Sequence, residues 1–283
     1  MNNQRLVEKV RNGAFAAEFQ DALGERVLDA LSKTDRAHFI PDNSFLGYLF
    51  DPNRIQVTKD NLESFFQHTD IRIADDSEKI VMYDKMDALA DSVMYLIGTK
   101  LLVELTLKAF AYDDRALATI CNQTTSQPSV VAMMCKQLEI DPGMKILEIG
   151  TGAGYHAAVI LDLIGRSGRL ITVETIKDIK EYAEERIQSY LADLDGSCRF
   201  VIGDGSLGVQ EESPFDRIYF TAAVNQDTFK PEILSSQLKP ELGILMYPVI
   251  HGLLIKRVYK ENQLMDEIKF NNINFMSLVG QNS

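Results

Sequence analysis

The stretch that decides the fold is Ile146-Leu147-Glu148-Ile149-Gly150-Thr151-Gly152-Ala153-Gly154-Tyr155, an apolar run that leads into a turn with glycine at alternate positions. Such a turn lets the backbone approach a ligand where side chains would collide. Gly154 falls one position too early for the dinucleotide fingerprint G-x-G-x-x-G, and an acidic residue, Glu148, precedes the first glycine. The stretch therefore predicts a nucleotide-like ligand and favours an adenosyl methyl donor over a nicotinamide dinucleotide.

Beyond residue 140, short β-rich runs alternate with helical patterns. Helical spacing appears near 155–165, 178–193 and 228–237, and the β-rich runs are Lys145–Ile149, Leu170–Val173, Arg199–Ile202, Arg217–Phe220 and Ile244–Val249. This alternation predicts a doubly wound α/β fold with a mostly parallel sheet, which binds ligands at the carboxyl ends of its strands. The tail predicts a closing antiparallel hairpin from Leu253–Tyr259 and Ile268–Leu278, with its turn at Glu261-Asn262.

Two polar residues stand at predicted strand ends after the glycine-rich turn. Glu174 follows the second strand and could accept hydrogen bonds from both hydroxyls of a ribose. Asp204 lies between two glycines after the third strand and could accept from an exocyclic adenine amine. An isolated Glu would be read as a cap or a surface residue, but its place in this order favours a ligand role.

Composition excludes several classes of protein. The chain has 283 residues, with 41 acidic and 29 basic side chains and a net charge of −12, which disfavours binding to nucleic acid and to anionic membranes. The three cysteines and four histidines show no metal-ligand spacing, so no metal is predicted. The absence of a signal peptide, a transmembrane stretch and cysteine pairs favours a reducing cytoplasm.

The N-terminal third is predicted to be mainly helical. Apolar residues recur at helical spacing over residues 2–33, and the pattern becomes irregular up to about residue 76. From Ser77 to Phe110 the methionine and leucine spacing again predicts one or two long helices.

Further motifs belong with the glycine-rich turn: Gln123-Thr124-Thr125-Ser126-Gln127-Pro128, Gly203-Asp204-Gly205, and Pro214-Phe215-Asp216 through Thr221-Ala222-Ala223. With the stretch from Leu147 to Tyr155, they resemble the protein-L-isoaspartate O-methyltransferases. The similarity covers roughly residues 1–45 and 110–280 and leaves an insertion of about sixty residues, longer than an ordinary connecting loop. Val224-Asn225 departs from the family, which has Ala-Pro there.

The resemblance implies transfer of a methyl group from S-adenosylmethionine to the α-carboxylate of L-isoaspartyl residues, the step that initiates repair of aged proteins. It implies that Ser126, with Thr125 alongside, orients the substrate carboxylate through a hydroxyl and is no nucleophile. The same hydroxyl cluster also fits a helix N-cap before Pro128, and the two roles are compatible. The residues expected to bind the cofactor are Glu148, Gly150, Thr151, Gly152, Gly154, Glu174, Asp204 and Gly205. Those expected to contact the substrate are Thr124, Gln127, Ala222, Ala223 and Val224.

Three parts of the chain are expected: an N-terminal helical part at 1–45, a mostly helical insertion at 46–109, and the cofactor-binding and catalytic α/β core at 110–283. The implied partners are isoaspartyl-containing proteins or peptides; the oligomeric state stays open, and the insertion could mediate a dimer. Two other functions remain. The enzyme could methylate an aspartate of one dedicated peptide or protein recognised through the insertion, or the chain could be a binding module without catalysis. The joint presence of Glu148, Glu174, Asp204 and Ser126 argues against the module.

Overall fold

A seven-stranded sheet forms the centre of the fold in the computed structural model, which describes residues 3–41, 72–74, 79–83, 94–97, 100–103, 111–191, 197–278 and 280. Numbered β7 to β13, its strands are Lys145–Ile149, Arg169–Glu174, Cys198–Ile202, Arg217–Phe220, Gly243–Val249, Leu253–Lys260 and Gln263–Asn271. Their order across the sheet is β13-β12-β11-β10-β7-β8-β9. The pairings from β11 to β9 are parallel, and β12 and β13 are antiparallel. The predicted doubly wound, mostly parallel sheet is confirmed.

The order of the strands reverses between β7 and β10, because the chain passes from β7 to β8 on one side and returns to add β10 on the other. Open α/β sheets bind ligands at this switch point, outside the carboxyl ends of the strands. The glycine-rich turn follows β7 and therefore lies at that edge.

Six α-helices lie among the described residues. Numbered α1 to α6, they are Asn3–Arg11, Ala22–Lys33, Pro128–Gln137, Tyr155–Ile164, Lys177–Tyr190 and Pro231–Ser235. Helices α1 to α4 contribute buried side chains to one hydrophobic cluster with alternate strand residues such as Ile146 and Tyr219. The other strand residues, among them Leu147 and Ile149, pack in a second cluster with α6. With both faces covered, the parallel strands are mainly apolar, as burial on both sides favours, and Glu148 and Thr172 are buried polar exceptions.

The helix predicted over residues 2–33 is interrupted. Between α1 and α2 the chain forms a short 3-10 turn at Ala16–Phe19. Asp21 then restarts the helix, since its side chain accepts a hydrogen bond from the backbone N–H of Gly24 at 2.8 Å. The N-terminal region is helical as predicted, in two segments that pack on the core.

The described residues of the predicted insertion form strands. The strands β1 to β4, Arg72–Ala74, Lys79–Tyr83, Met94–Ile97 and Lys100–Val103, make a separate antiparallel sheet in that order. The long helices predicted over 77–110 are therefore wrong for these residues. The apolar runs of β2, β3 and β4 are only four or five residues long, too short for the predicted helices, and β3 pairs with β4 in antiparallel register from Met94↔Val103 to Ile97↔Lys100. The rest of the insertion predicted at 46–109, residues 46–71, 75–78, 84–93, 98–99 and 104–109, lies outside the described residues.

The chain between the insertion and α3 makes a small ladder. Its strands β5 and β6, Leu117–Ala118 and Thr124–Thr125, pair antiparallel. This ladder brings the Gln123–Pro128 motif to the start of α3.

Candidate active site

A cleft of about 480 Å³ opens at the carboxyl ends of the parallel strands. That volume lies within the roughly 300–1,000 Å³ of small-molecule sites. The strand ends contribute Ile149, Gly150, Gly152, Val173, Glu174, Thr175, Ile176, Gly203, Gly205, Thr221 and Ala222. The rest of the lining is Ala116, Gln123, Thr124, Ser126, Gln127, Val130 and residues 272–278.

The glycine-rich turn gives two of its three glycines to the cleft. Gly150 and Gly152 line it with φ of +96° and +54°, a left-handed backbone that favours glycine. A Cβ added at Gly152 would meet no atom of the described residues within 4 Å, so this glycine opens onto free space. At Gly154 an added Cβ would lie 3.1 Å from Ile187 Cδ1. Gly154 therefore lets the start of α4 pack closely on α5, a structural role that the sequence analysis did not assign.

Glu174 stands at the end of β8 with its carboxylate on the cleft. Oε1 accepts from the backbone N–H groups of Thr175 and Ile176 at 2.9 and 3.1 Å. Oε2 accepts from the N–H of Gly152 at 3.2 Å. The side chain thus links the end of β8 to the glycine-rich turn and presents a hydrogen-bond acceptor where a ribose is expected.

Glu148 and Thr151 lie outside the cleft, contrary to the prediction that they bind the cofactor. Glu148 is fully buried on the sheet face covered by α1 to α4. There Thr172 Oγ1 and Tyr219 OH donate to its two oxygens at 2.6 and 2.5 Å. Thr151 Oγ1 continues this network, 2.7 Å from Thr172 Oγ1. The physical reason is strand alternation: Ile149 reaches the cleft, and the residue before it points to the opposite face.

Burial makes the Glu148 carboxyl unusual. Loss of water contact raises its pKa to about 8, against the opposing effect of the hydrogen bonds from Thr172 and Tyr219. His156 packs its ring 4.7 Å from that of Tyr219, and burial lowers the pKa of His156 to about 3. The network is therefore largely uncharged near neutral pH. Through Thr151 it supports the glycine-rich turn from the side opposite the cleft.

Asp204 caps the short 3-10 turn at Gly205–Leu207, since its carboxylate accepts from the N–H of Ser206 at 2.9 Å. The flanking glycines, Gly203 and Gly205, line the cleft, and Gly280 lies against the carboxylate. Asp204 itself stands beside the lining, so its contact with an adenine amine stays a prediction.

The hydroxyl cluster is divided by the pleat of β6. Thr124 and Ser126 line the cleft, whereas Thr125 is buried between them and lies outside the lining. Successive side chains of a strand point to opposite faces, so Thr124 and not Thr125 shares the site with Ser126. The catalytic role predicted for Thr125 does not fit this placement.

Gln127 lines the cleft, and two residues outside the lining hold its side chain in place. Its Nε2 donates to Asp114 Oδ2 at 3.0 Å and to Ser129 Oγ at 2.9 Å. Asp114 Oδ1 also accepts from the N–H of Ser129 at 2.8 Å, in the first turn of α3. The sequence predicts that the Thr-Thr-Ser hydroxyls could cap this helix, but among the described residues the carboxylate of Asp114 accepts from its first turn instead.

The C-terminal segment supplies a wall of the cleft that the sequence analysis missed. The predicted second hairpin strand ends at Asn271, and residues 272–278 cross to the strand ends. There the N–H of Ala223 donates to the carbonyl of Met276 at 2.7 Å. The polar run around Asn272, whose φ is +63°, breaks the strand pattern and could have indicated the departure.

Of the three predicted substrate residues after β10, one reaches the cleft. Ala222 lines it, whereas Ala223 pairs with the C-terminal segment and Val224 is fully buried. The N–H of Val224 donates to the carbonyl of Pro248 at 2.8 Å. The difference from the family at Val224 therefore lies in the packing behind the site.

The cleft has the features that S-adenosylmethionine requires. Gly152 and Gly203 both open onto free space that a Cβ would fill, which leaves room for close approach of a ligand. Glu174 offers a carboxylate for ribose hydroxyls, and Ile149, Val173 and Ile176 offer apolar surface for an adenine ring. The fold and this site define an S-adenosylmethionine-dependent methyltransferase.

Comparisons with known proteins identify the family within that class. The model of the family described as Protein-L-isoaspartate(D-aspartate) O-methyltransferase matches residues 77–283. A protein-L-isoaspartate O-methyltransferase of Methanococcus maripaludis strain C6 is 36% identical over 202 residues, 71% of this chain and 91% of that protein. One of Methanococcus vannielii is 39% identical over 175 residues, 61% of this chain and 80% of that protein. The chain belongs to the protein-L-isoaspartate(D-aspartate) O-methyltransferase family.

Solved structures share the fold. A Plasmodium falciparum protein assigned to the same enzyme class, solved with S-adenosyl-L-homocysteine, aligns over 99% of both chains with a TM-score of 0.63 and 17% identity. A second protein-L-isoaspartate O-methyltransferase aligns over 99% of this chain and 67% of its own, with a TM-score of 0.61 and 22% identity. The family match includes residues 77–109, so the boundaries predicted for the insertion stay a prediction.

Proposed function

We propose that this chain transfers a methyl group from S-adenosylmethionine to the α-carboxylate of L-isoaspartyl residues in proteins or peptides and so initiates their repair. Membership of the family supports the reaction. The observation that carries the assignment of roles is that Ser126 and Thr124 line the same cleft as Gly152 and Glu174. Cofactor-binding and hydroxyl groups thus share one site.

When bound, S-adenosylmethionine supplies a methyl group on a positively charged sulfur, which takes the electron pair of the broken sulfur–carbon bond. The attacking carboxylate is already ionised at neutral pH, so this chain needs no general base. Its work is to orient the carboxylate and exclude water. The Ser126 hydroxyl donates to one carboxylate oxygen and leaves the other free to attack, and Thr124 offers a second donor.

Among the described residues the Ser126 side chain has no hydrogen-bond partner, whereas its backbone is held in place. A hydroxyl that is not already engaged can turn toward a substrate oxygen without breaking a bond within the protein. The apolar lining at Ile149, Val173 and Phe275 lowers the local dielectric and strengthens that bond.

A dedicated aspartyl substrate is the second candidate. The buried position of Val224 removes one reason to prefer it, because this difference from the family does not reach the cleft. An aspartyl peptide of the same sequence in the assay below tests it directly.

The test is steady-state methyl transfer to an isoaspartyl peptide by the wild type, Ser126→Ala and Ser236→Ala. Ser236 is an exposed serine outside the cleft lining and serves as the matched control. Loss of one donor at the carboxylate should lower kcat roughly 100- to 1,000-fold in Ser126→Ala. The affinity for S-adenosyl-L-homocysteine should stay at the wild-type value. Equal kcat in both variants would refute the role of Ser126.

The location in the cell belongs to the same proposal. In the described residues no helix is both long and apolar enough to cross a bilayer. The three cysteines, Cys121, Cys135 and Cys198, are unpaired, which supports a reducing cytoplasm. Fractionation of cells that express the chain at native level tests this, and recovery with an oxidising compartment would contradict it.

A further inference from the structure

Arg36 is buried completely beside the active-site loop. Its guanidinium donates four hydrogen bonds, to the backbone carbonyls of Ala111, Asp113, Arg115 and Ser126, at 3.1, 3.0, 2.8 and 3.0 Å. Among the described residues no carboxylate lies within ion-pair distance of it. Its charge is therefore stabilised by peptide dipoles, and burial lowers its pKa to about 10.

Holding a charge in this way is expensive for a merely structural residue. Removing a guanidinium from water carries a large free-energy cost. Well-packed apolar side chains at the same place often give equal or greater stability. What arginine adds is geometry, because its planar fork fixes several acceptors at once and lysine cannot reproduce that pattern. The four carbonyls that accept from Arg36 therefore indicate its role, which depends on the parts of the chain that they join.

The acceptors come from two parts of the chain. Three belong to residues 111–115, which follow the insertion predicted at 46–109. Arg36 itself lies shortly before that insertion. The fourth is the carbonyl of Ser126, in the loop that lines the cleft. The guanidinium also lies 5.7 Å from the ring centre of Tyr155, directly after the glycine-rich turn. Arg36 thus connects the chain before the predicted insertion with the chain after it and with the active-site loop at Ser126.

A second connection runs in parallel. Asp114, within the same flank, accepts from the side chain of Gln127 and from the N–H of Ser129. Ser126 is therefore held from its own carbonyl by Arg36 and from the following residues by Asp114. Neither connection involves Glu174, whose bonds run to Gly152, Thr175 and Ile176.

We propose that Arg36 is a positioning residue for methyl transfer: by binding the carbonyl of Ser126 together with residues 111–115, it fixes the Ser126 hydroxyl toward the substrate carboxylate. This inference rests on the proposed role of Ser126. It goes beyond it by assigning a residue that touches neither cofactor nor substrate.

The test compares Arg36→Lys with Arg217→Lys. Arg217 is also buried and donates to four backbone carbonyls, those of Leu138, Glu139, Asp216 and Leu242, but it lies at the amino end of β10, away from the cleft. Both variants should lose thermal stability. Arg36→Lys alone should lower kcat on an isoaspartyl peptide, roughly 10- to 100-fold for a misplaced group, with the affinity for S-adenosyl-L-homocysteine within twofold of wild type. Equal kcat in the two variants would overturn the proposal.

A double-mutant cycle separates positioning from general damage. In a Ser126→Ala background the hydroxyl that Arg36 positions is absent, so Arg36→Lys should lower kcat no more than about twofold further. Full additivity would contradict the proposal. Should Arg36→Lys not fold, Arg36→Gln, whose amide keeps two N–H donors, enters the same cycle, with a fall in kcat that Ser126→Ala should suppress. Full additivity in that cycle would also contradict the proposal.

Hydrogen exchange decides the inference independently of turnover. Amides of residues 123–127 should exchange faster in Arg36→Lys than in the wild type and at the wild-type rate in Arg217→Lys. If the wild type methylates no isoaspartyl peptide, the proposed function fails, and the exchange result still shows whether Arg36 holds this loop. Unchanged exchange in Arg36→Lys would refute that claim.

Discussion

Replacement of Gly152 by alanine separates cofactor binding from folding. The residue has a φ of +54° and lines the cleft, and an added methyl group would point into space free of described protein atoms. The left-handed backbone costs an alanine about 1–2 kcal/mol of stability. The folded protein accommodates the methyl group, but the cofactor has to share its space.

The matched control is Gly143→Ala. Gly143 has a φ of +83° in an exposed turn at the amino end of β7, and its added Cβ would meet Ser167 Oγ at 3.4 Å, an ordinary contact. Both variants should therefore lose similar stability. Only Gly152→Ala should lose affinity, because overpacking costs about 1–3 kcal/mol. That range corresponds to a roughly 5- to 140-fold weaker Kd.

Two measurements on each variant suffice: thermal unfolding without ligand, and calorimetric titration with S-adenosyl-L-homocysteine. We expect similar Tm values for the two variants and a weaker Kd in Gly152→Ala alone. Equal Kd values in the two variants, or a loss of affinity in Gly143→Ala, would refute the assignment of the glycine-rich turn to the cofactor.

Two further predictions concern buried residues near the site. Because the pKa of Glu148 is raised from 4.5 to about 8, the folded state binds more protons than the unfolded state between these values, and Glu148 makes stability fall as pH rises across that window. Glu148→Gln should therefore gain free energy of unfolding relative to wild type from pH 5 to pH 8 in urea titrations; parallel curves would contradict this. Val224→Ala removes buried apolar surface, so it should lower the free energy of unfolding by about 1.5–3 kcal/mol and leave the KM for an isoaspartyl peptide unchanged. A raised KM would indicate instead that Val224 contributes to substrate binding.

Much of the sheet could be predicted from the sequence because its strands are short apolar runs between polar or glycine-rich breaks. Lys145–Ile149 and Arg217–Phe220 have the predicted bounds. Glu261 and Asn262, with φ of +52° and +60°, form the predicted turn of the closing hairpin. The place of Gly150, Gly152 and Glu174 at the cleft could be predicted for the same reason, since the end of a parallel strand fixes the edge where its next residues lie. Their contacts with the cofactor stay a prediction.

Residues whose direction depends on the two sides of the sheet could not be predicted in this way. When both faces are buried, a strand is apolar on both of them, and its sequence does not show which face a polar residue such as Glu148 meets. The sequence therefore predicts that Glu148 binds the cofactor, whereas the structure buries its side chain outside the cleft. Thr125 differs, because β6 has one exposed face but only two residues, too few for an alternating pattern to show in the sequence.

Other features depend on contacts between distant parts of the chain. The role of Arg36 appears only when residues 111–126 are folded around it, and the wall at 272–278 only when the tail crosses the sheet edge. In the insertion, Met82, Met86, Leu89, Val93 and Leu96 recur at helical spacing. Met82 and Leu96 nevertheless lie in paired strands, because contacts with distant strands decide their conformation. Local sequence does not contain these contacts.

The central claim, that the cleft methylates the α-carboxylate of isoaspartyl residues, is tested most directly by one measurement on the wild-type chain. Labelled S-adenosylmethionine is offered with an isoaspartyl peptide and, separately, with its aspartyl isomer of identical sequence, and the label in each peptide is counted. The account predicts label in the isoaspartyl peptide alone. Label in the aspartyl peptide, or in neither while S-adenosyl-L-homocysteine still binds, would contradict it.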